Sequence, residues 1–335
     1  MRPAFRPPAW RTLALAAAAL AGVAGGTTAA LRDVATPTAA TLGTPVHCRA
    51  YAGLPPQWGK NPHAGMVRVA SGRVDLGSIN GYAEEKPVRS TSVEAFWMDR
   101  TEVTNAQFAA FVRATGYLTE AERRGEGMVF RAPPRGEPSP ELGWWHLVRG
   151  ANWRHPDGPQ SSLEGRDHQP VVQVTRADAQ AYAAWLGRAL PTEAEWEYAA
   201  EAAGQAERVT RGPRDDQGRP SANFWQGVFP DIDAGEDGYA GRAPVGCYAA
   251  NGLDLHDLIG NVWEWTSDPW SGSHQAHGTG IATSPDRAGA RGLIKGGSFL
   301  CATDYCVRYR SSARHPQDLD VPASHIGFRT VARSP

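Results

Sequence analysis

Two cysteines five residues apart, Cys301 and Cys306, stand in the stretch GGSFLCATDYCVRYR (296–310) of a chain with only 4 cysteines. Thiolates act as nucleophiles, redox centres and soft metal ligands. The C-x4-C spacing is not the redox C-x-x-C. A structural zinc site takes four ligands, and the nearest histidines, His315 and His325, stand in a loop-like stretch with no matching spacing. Two readings remain. The pair is either a disulfide or a two-thiolate site, and two soft thiolates select Cu(I). Such a site leaves room for a third sulfur from a substrate. Ser298 either positions a substrate or bound oxygen, or is a turn residue after Gly296-Gly297. Tyr305 is either a pocket wall or a core aromatic.

Carboxylates form the second and third groups. In GNVWEWTSD (260–268) two tryptophans flank Glu264, and Asp257 lies just upstream. A carboxylate between indoles needs a buried partner, either a hard cation ringed by oxygens or an arginine. The stretch DIDAGEDGY (231–239) is acidic enough for calcium. It is not an EF-hand loop, because Glu236 stands where that loop has glycine. Its competing reading is a solvated acidic turn.

Three helices are readable among the elements that position these groups. Thr104 with Gln107 is a capping box; Phe108, Phe111 and Val112 then share one face, and Gly116 is the stop. Thr175 with Asp178 opens a second helix, with Ala179, Tyr182, Ala183 and Leu186 inward. Thr192 with Glu195 opens a third, which Gly204 ends. Strand signals lie in MVRVASGRVDLGS, VEAFWMDR, LIKGGSF and IGFRTVA. Residues 119 to 170 read as loop-rich, and no internal repeat or boundary divides 65–333. The expectation is one irregular, loop-rich α+β domain over 65–333, with a linker over 31–64.

The chain has 335 residues and a formal net charge of −1, with Gly 37, Pro 26 and Trp 12. The balanced charge and scattered basic residues give no support to a nucleic-acid partner. No nucleotide-binding glycine loop, G-x-S-x-G or H-E-x-x-H is present. Twelve tryptophans imply a core built on large rings or an aromatic groove. At the N-terminus Arg2, Arg6 and Arg11 precede LALAAAALAGVA and then small residues. That is the pattern of an export signal over 1–30, too short to span a bilayer, which takes about 20 residues. The alternative is an uncleaved N-terminal anchor. Export to a periplasmic, oxidising compartment with no stable membrane insertion is expected. There Cys48 and Cys247 have the option of pairing.

LPTEAEWEYAA, GNVWEWTSD and GGSFLCATDYCVRYRSSAR followed by SHIGFRTV resemble the formylglycine-generating enzymes, the sulfatase-modifying factors, over roughly 65–333. The resemblance implies the family's α+β fold, related to C-type lectin-like folds. It implies Cu(I) on Cys301 and Cys306, with Ser298, Tyr305 and Trp263 around the pocket. It implies oxidation by O2, with a thiol reductant, of a cysteine in a C-x-P-x-R-like motif of an unfolded sulfatase polypeptide to formylglycine. It also implies two structural calcium ions. One would use Asn223, Phe224, Asp237 and Tyr239; the other Asp257, Gly260, Val262 and Glu264, with Asp257 where the vertebrate pattern has Asn. Vertebrate structural cysteines would fall at Ser311 and Thr330, so those bridges are absent. The rival expectations are an exported maturase of another substrate, of the siderophore-chromophore type, and a lectin-like binding paralogue.

Overall fold

The computed structural model describes residues 42–134, 140, 142–201, 212–274 and 290–333. The expected export signal and the Gly204 helix stop lie outside them. Among the described residues no helix is long and apolar enough to cross a membrane.

The elements run α1 (Pro45–Ala50), β1 (Met66–Val69), β2 (Gly72–Leu76), a 3-10 turn (Ala83–Glu85), β3 (Arg89–Val93) and β4 (Phe96–Asp99). Then come α2 (Asn105–Thr115), α3 (Glu120–Arg124), β5 (Glu126–Phe130), β6 (Trp145–Arg149), α4 (Arg176–Trp185) and α5 (Glu193–Glu201). Short strands close the chain: β7 (Gly227–Val228), β8 (Ile232–Asp233), β9 (Trp263–Pro269), β10 (Arg291–Lys295), β11 (Arg314–Asp318), β12 (Ile326–Gly327) and β13 (Val331–Arg333). The fold is α+β, with short elements joined by long irregular stretches.

The three expected helices form, and each for the stated reason. The Thr104 hydroxyl accepts from the Gln107 amide, and the Gln107 side chain accepts from Thr104 N–H. Thr175 with Asp178 and Thr192 with Glu195 repeat this. Gly116 takes the left-handed φ of 68° that ends α2. These helices bury Phe108, Tyr182 and Trp196. The first two pack with Trp153, Trp263, Trp265 and Cys301 in one core cluster. The rings are core, so most tryptophans are accounted for by packing.

Two stretches differ from expectation. Residues 119–170 carry α3 and the β5–β6 hairpin. Thr119 with Glu122 is a fourth capping box, hidden in sequence because its helix is only five residues long. The linker expected over 31–64 is folded from residue 42 on. Cys48 is fully buried in α1 and joined by a disulfide to Cys247, 199 residues away. A segment without hydrophobic periodicity is here fixed by a covalent tie.

The sheet that carries the site has the order β11-β10-β9-β12. Its strands are held from below by buried charge. Lys295 at the end of β10 donates to Glu197 of α5 at 2.6 Å, both fully buried. Arg314 of β11 and His274 both meet Glu193. Burial opposes ionisation of Glu193, but His274, Lys295 and Arg314 together lower its pKa to about 2.

Two predictions follow from these ties. Cys48→Ser should lower stability by about 2–5 kcal/mol, since the bridge closes a long loop; a denaturant melt identical to the parent's would contradict it. Glu193 titrates lower folded than unfolded, so its contribution is full above about pH 4.5 and is lost as pH falls towards about 2. A shift of that size is worth about 3 kcal/mol. Stability measured at pH 6 and pH 3 should therefore diverge more for the parent than for Glu193→Gln.

Candidate functional site

The two sulfurs lie in the loop between β10 and β11. Lys295 ends β10, and Gly296 and Gly297 then turn the chain with φ of 95° and 77°. A Cβ at 296 would meet the Leu258 carbonyl at 2.9 Å and the Trp196 ring at 3.1 Å. That contact explains the glycine: the turn is wedged between α5 and the 257–262 loop. Gly260 N–H donates to Gly296 O, Phe299 N–H to Asn261 O, and Cys301 N–H to Ser298 O. Trp225 N–H takes the Cys301 carbonyl.

Cys301 and Cys306 are both free, with Sγ atoms 2.9 Å apart. A disulfide would bring them to about 2.05 Å, so the pair is not bonded. Cys301 is 1% exposed, whereas Cys306 is half-buried and holds a left-handed φ of 56°. Such a backbone is costly for a non-glycine residue and is typical of functional positions. Their titrations are pushed apart. Burial first, then the neighbouring sulfur, raises Cys301 well above the usual thiol range. Cys306 is lowered, first by the hydrogen bond from Cys301 and also by Arg308, against burial. The two shifts run in opposite directions, so of the pair Cys301 holds its proton the more tightly.

Arg308 is itself held. It donates to Glu84 at 2.8 Å, and its guanidinium lies 4.0 Å from the centre of the Tyr82 ring. Arg310 forms a buried bidentate pair with Glu85. The 82–85 turn therefore clamps the loop at its far end. Sequence reading missed these partners. The single available signal was the pair of acids in YAEEK, which has no periodicity to give it weight.

Of the expected pocket residues, Trp263 shares a core cluster with the sulfurs, whereas Tyr305 packs in a second ring cluster. Ser298 is fully buried, and its hydroxyl accepts from Leu300 N–H. Trp263 shares the core cluster with Cys301 and stacks on His315, ring centres 5.5 Å apart. Tyr305 stacks on Phe229 at 4.2 Å and meets Trp144 edge-on. His315, read from sequence as a loop residue, is on β11 opposite Ile294. His325 packs on Trp145. Burial lowers both imidazoles, to about 4 and about 3, so both are neutral at physiological pH. The Tyr309 hydroxyl is buried without a hydrogen-bond partner in the same cluster as the sulfurs. A soft cation suits a donor set of two unbonded sulfurs beside aromatic rings.

The first expected calcium group also converges. Asp237 accepts from Tyr239 N–H, Phe224 N–H and the Gln226 side-chain amide. That same amide nitrogen donates to the Phe224 carbonyl. Oxygens from Phe224 and Asp237 thus face one donor, at the kind of point a hard cation takes. Asn223 is buried beside them and spends its amide on Gly241 O and Asn261.

In the second expected group the acid at its centre has a protein partner. Both Glu264 oxygens go to Arg329, at 2.7 Å each, and Oε2 also accepts from Trp196 Nε1. Glu264 therefore has an arginine for its partner, and an ion ligand is not required to explain its burial. Asp257, Gly260 and Val262 lie in the adjoining loop, where Asp257 accepts from Gly246 N–H at 2.5 Å. Among the described residues no cluster of three or more His, Cys, Asp or Glu side chains is disposed to hold a metal.

Compared with known proteins, residues 51–334 match the sulfatase-modifying factor enzyme 1-like domain. The formylglycine-generating enzyme of Thermomonospora curvata is 45% identical over 285 residues, 80% of this chain and 93% of its own. That of Bos taurus is 41% identical over 283 residues, 81% of this chain and 75% of its own. The structure of PvdO from Pseudomonas aeruginosa superposes with a TM-score of 0.56 at 24% identity, over 81% of this chain and 95% of PvdO. That last likeness is one of fold alone.

The asymmetry of the two thiols gives a direct test. Brief iodoacetamide treatment at neutral pH should label Cys306 well ahead of Cys301, as read by peptide mass spectrometry. Equal labelling would contradict the opposite shifts of the two thiols.

Proposed function

The chain belongs to the sulfatase-modifying factor enzyme 1-like family, and from that membership we propose that it activates sulfatases by oxidising a cysteine to Cα-formylglycine. The substrate is an unfolded sulfatase polypeptide with a C-x-P-x-R-like motif. Cys301 and Cys306 would hold Cu(I), which when bound supplies the means of activating O2 against an otherwise inert Cβ–H bond. The observation that carries the reading is the unbonded sulfur pair, 2.9 Å apart, in a chain whose other two cysteines are joined.

The redox sum is closed by the named reactants. O2 accepts four electrons. Two come from the substrate's Cβ–S group and two from a pair of reductant thiols, which leave as a disulfide. A thioaldehyde formed from the substrate cysteine hydrolyses, so its sulfur departs as hydrogen sulfide and the aldehyde oxygen comes from water.

This chain's residues supply the surroundings. Cys301 keeps a proton that it shares with Cys306 by hydrogen bond. Ser298, at the buried entrance to the turn, has a hydroxyl available to orient the reacting group. Half-buried Tyr305 offers a flat wall to an extended peptide, and buried Trp263 backs the site from the core. Neutral His315 and His325 add no charge beside the sulfurs. Structural calcium on Asn223, Phe224, Asp237 and Tyr239 is part of the same reading.

We also infer export to the periplasm. The N-terminal arginines and apolar run support it, as does the Cys48–Cys247 disulfide, which persists in oxidising compartments.

The test is to supply the reduced protein with Cu(I), O2, a thiol reductant and a C-x-P-x-R peptide, and to look for the aldehyde by mass spectrometry. Cys301→Ala and Cys306→Ala should each lower the rate by about three orders of magnitude, ~4 kcal/mol in barrier. Turnover of a different substrate, with none of this peptide, would favour the maturase. Peptide binding with no aldehyde would favour a binding paralogue.

A further inference from the structure

Tyr309 stands between the two arginines that clamp the far end of the thiol loop. Arg308 donates to Glu84 and Arg310 pairs with Glu85, so the backbone at 309 is fixed from both sides. A Cβ at Gly297 would meet the Tyr309 N and Cα at 3.1 Å, so the turn that leads into Ser298 lies against it. Tyr309 is 3% exposed, and its ring meets Phe224 edge-on with ring centres 5.7 Å apart. It shares the core cluster with Cys301, and Cys306 packs against that cluster.

The Tyr309 hydroxyl has no hydrogen-bond partner among the described residues. A buried tyrosine O–H usually has one, and leaving that bond unmade opposes folding. Phenylalanine would fill the same space without the cost. Burial first, and then both sulfurs, hold the hydroxyl above the ordinary tyrosine range. It therefore keeps its proton at neutral pH and is a donor, close enough to Cys301 and Cys306 to feel their charge. Tyr182 supplies the contrast. Its hydroxyl is also buried without a partner in the same cluster. Its titration answers to Asp99, Arg188 and Tyr51 rather than to the sulfurs. A donor unspent inside the fold and beside the sulfurs is available to a group that enters there. An ionised sulfur taken out of water needs such a donor.

We propose that Tyr309 is a further catalytic residue, whose hydroxyl donates a hydrogen bond to the sulfur of the substrate cysteine as that sulfur meets Cys301 and Cys306. The inference rests on the cysteine-oxidising reading above and adds a residue to it. The bond exists only while substrate is bound, so the hydroxyl destabilises the free protein and stabilises the complex. With its backbone clamped and its ring held by Phe224, the donor is oriented before the substrate arrives.

The experiment compares the parent with Tyr309→Phe and Tyr182→Phe. Thermal melts are recorded without metal. Binding of a C-x-P-x-R peptide, and of the same peptide with alanine for the cysteine, is measured by fluorescence anisotropy with Cu(I) and no O2, so that nothing turns over. Tyr309→Phe should melt no lower than the parent. It should bind the cysteine peptide about 10-fold more weakly, the size expected for a lost hydrogen bond to a charged group, and the alanine peptide as the parent does. Tyr182→Phe should also melt no lower, and should keep the parent's affinity for both peptides. A lower melt for Tyr309→Phe would reveal a partner within the fold and overturn the proposal. So would equal weakening for both peptides, or the same loss in Tyr182→Phe. A parent that prefers the cysteine peptide, with that preference kept in Tyr309→Phe, would overturn the proposal alone. A parent that binds the two peptides alike would overturn the cysteine-oxidising reading and this proposal with it.

Discussion

The segment that carries both thiols is held at each end by a buried ion pair, with a third, partly exposed pair beside the far one, and the rest of the site depends on that. At the near end Lys295 meets Glu197, with neither side chain exposed. At the far end Arg310 meets Glu85, and Arg308 meets Glu84. Ionic pairs of this kind add little net stability over apolar packing, yet removing one partner typically costs 3–5 kcal/mol. They are stiff, directional and intolerant of error. That suits a loop whose job is to keep two sulfurs at a fixed spacing while one of its residues sits in a left-handed backbone. Hydrophobic packing alone is non-directional and would not fix the orientation of a 15-residue loop.

The helices and the thiol pair were legible in the sequence because their signals are local. A capping box is three residues long, and Thr104, Thr175 and Thr192 each carry theirs within one turn. Cys301, Cys306 and Ser298 lie within nine residues of one another. The clamp on the loop was not legible. Glu84 and Arg308 are separated by 224 positions, and nothing in YAEEK says which arginine it will meet. The same limit explains Glu264. Its flanking tryptophans correctly imply burial with a partner, but both a cation and an arginine satisfy that requirement. Arg329, 65 positions on, is a partner the sequence did not point to. Burial of a charge is readable from neighbours; its partner is a tertiary fact.

The disulfide gives a second instance. Cys48 lies in a proline-rich stretch that looks like linker, and α1 has too few residues to stand as a helix alone. What makes it part of the domain is one covalent bond to Cys247 and the burial that comes with it. A single pairing thus changes the reading of some twenty preceding and following positions, and no periodicity in sequence could announce it.

The two cysteine pairs are connected through the fold, although they do different work. Cys247 adjoins Gly246, whose N–H donates to Asp257. Asp257 opens the loop whose Gly260 N–H holds Gly296 O and whose Asn261 O holds Phe299 N–H. Five residues after Gly296 comes Cys301. The bonded pair therefore fixes one side of the loop that supports the unbonded pair. An oxidising compartment would favour joining both pairs, but it acts on them unequally. Cys48 and Cys247 gain a tie across the whole chain. Cys301 and Cys306 would lose the two free sulfurs that the proposed metal site requires. Occupancy of that site by the ion would be the natural protection against the second bond, since a ligated thiolate is withdrawn from exchange chemistry. On this view the metal serves the proposed oxidation twice, once in the reaction and once by keeping its own ligands apart.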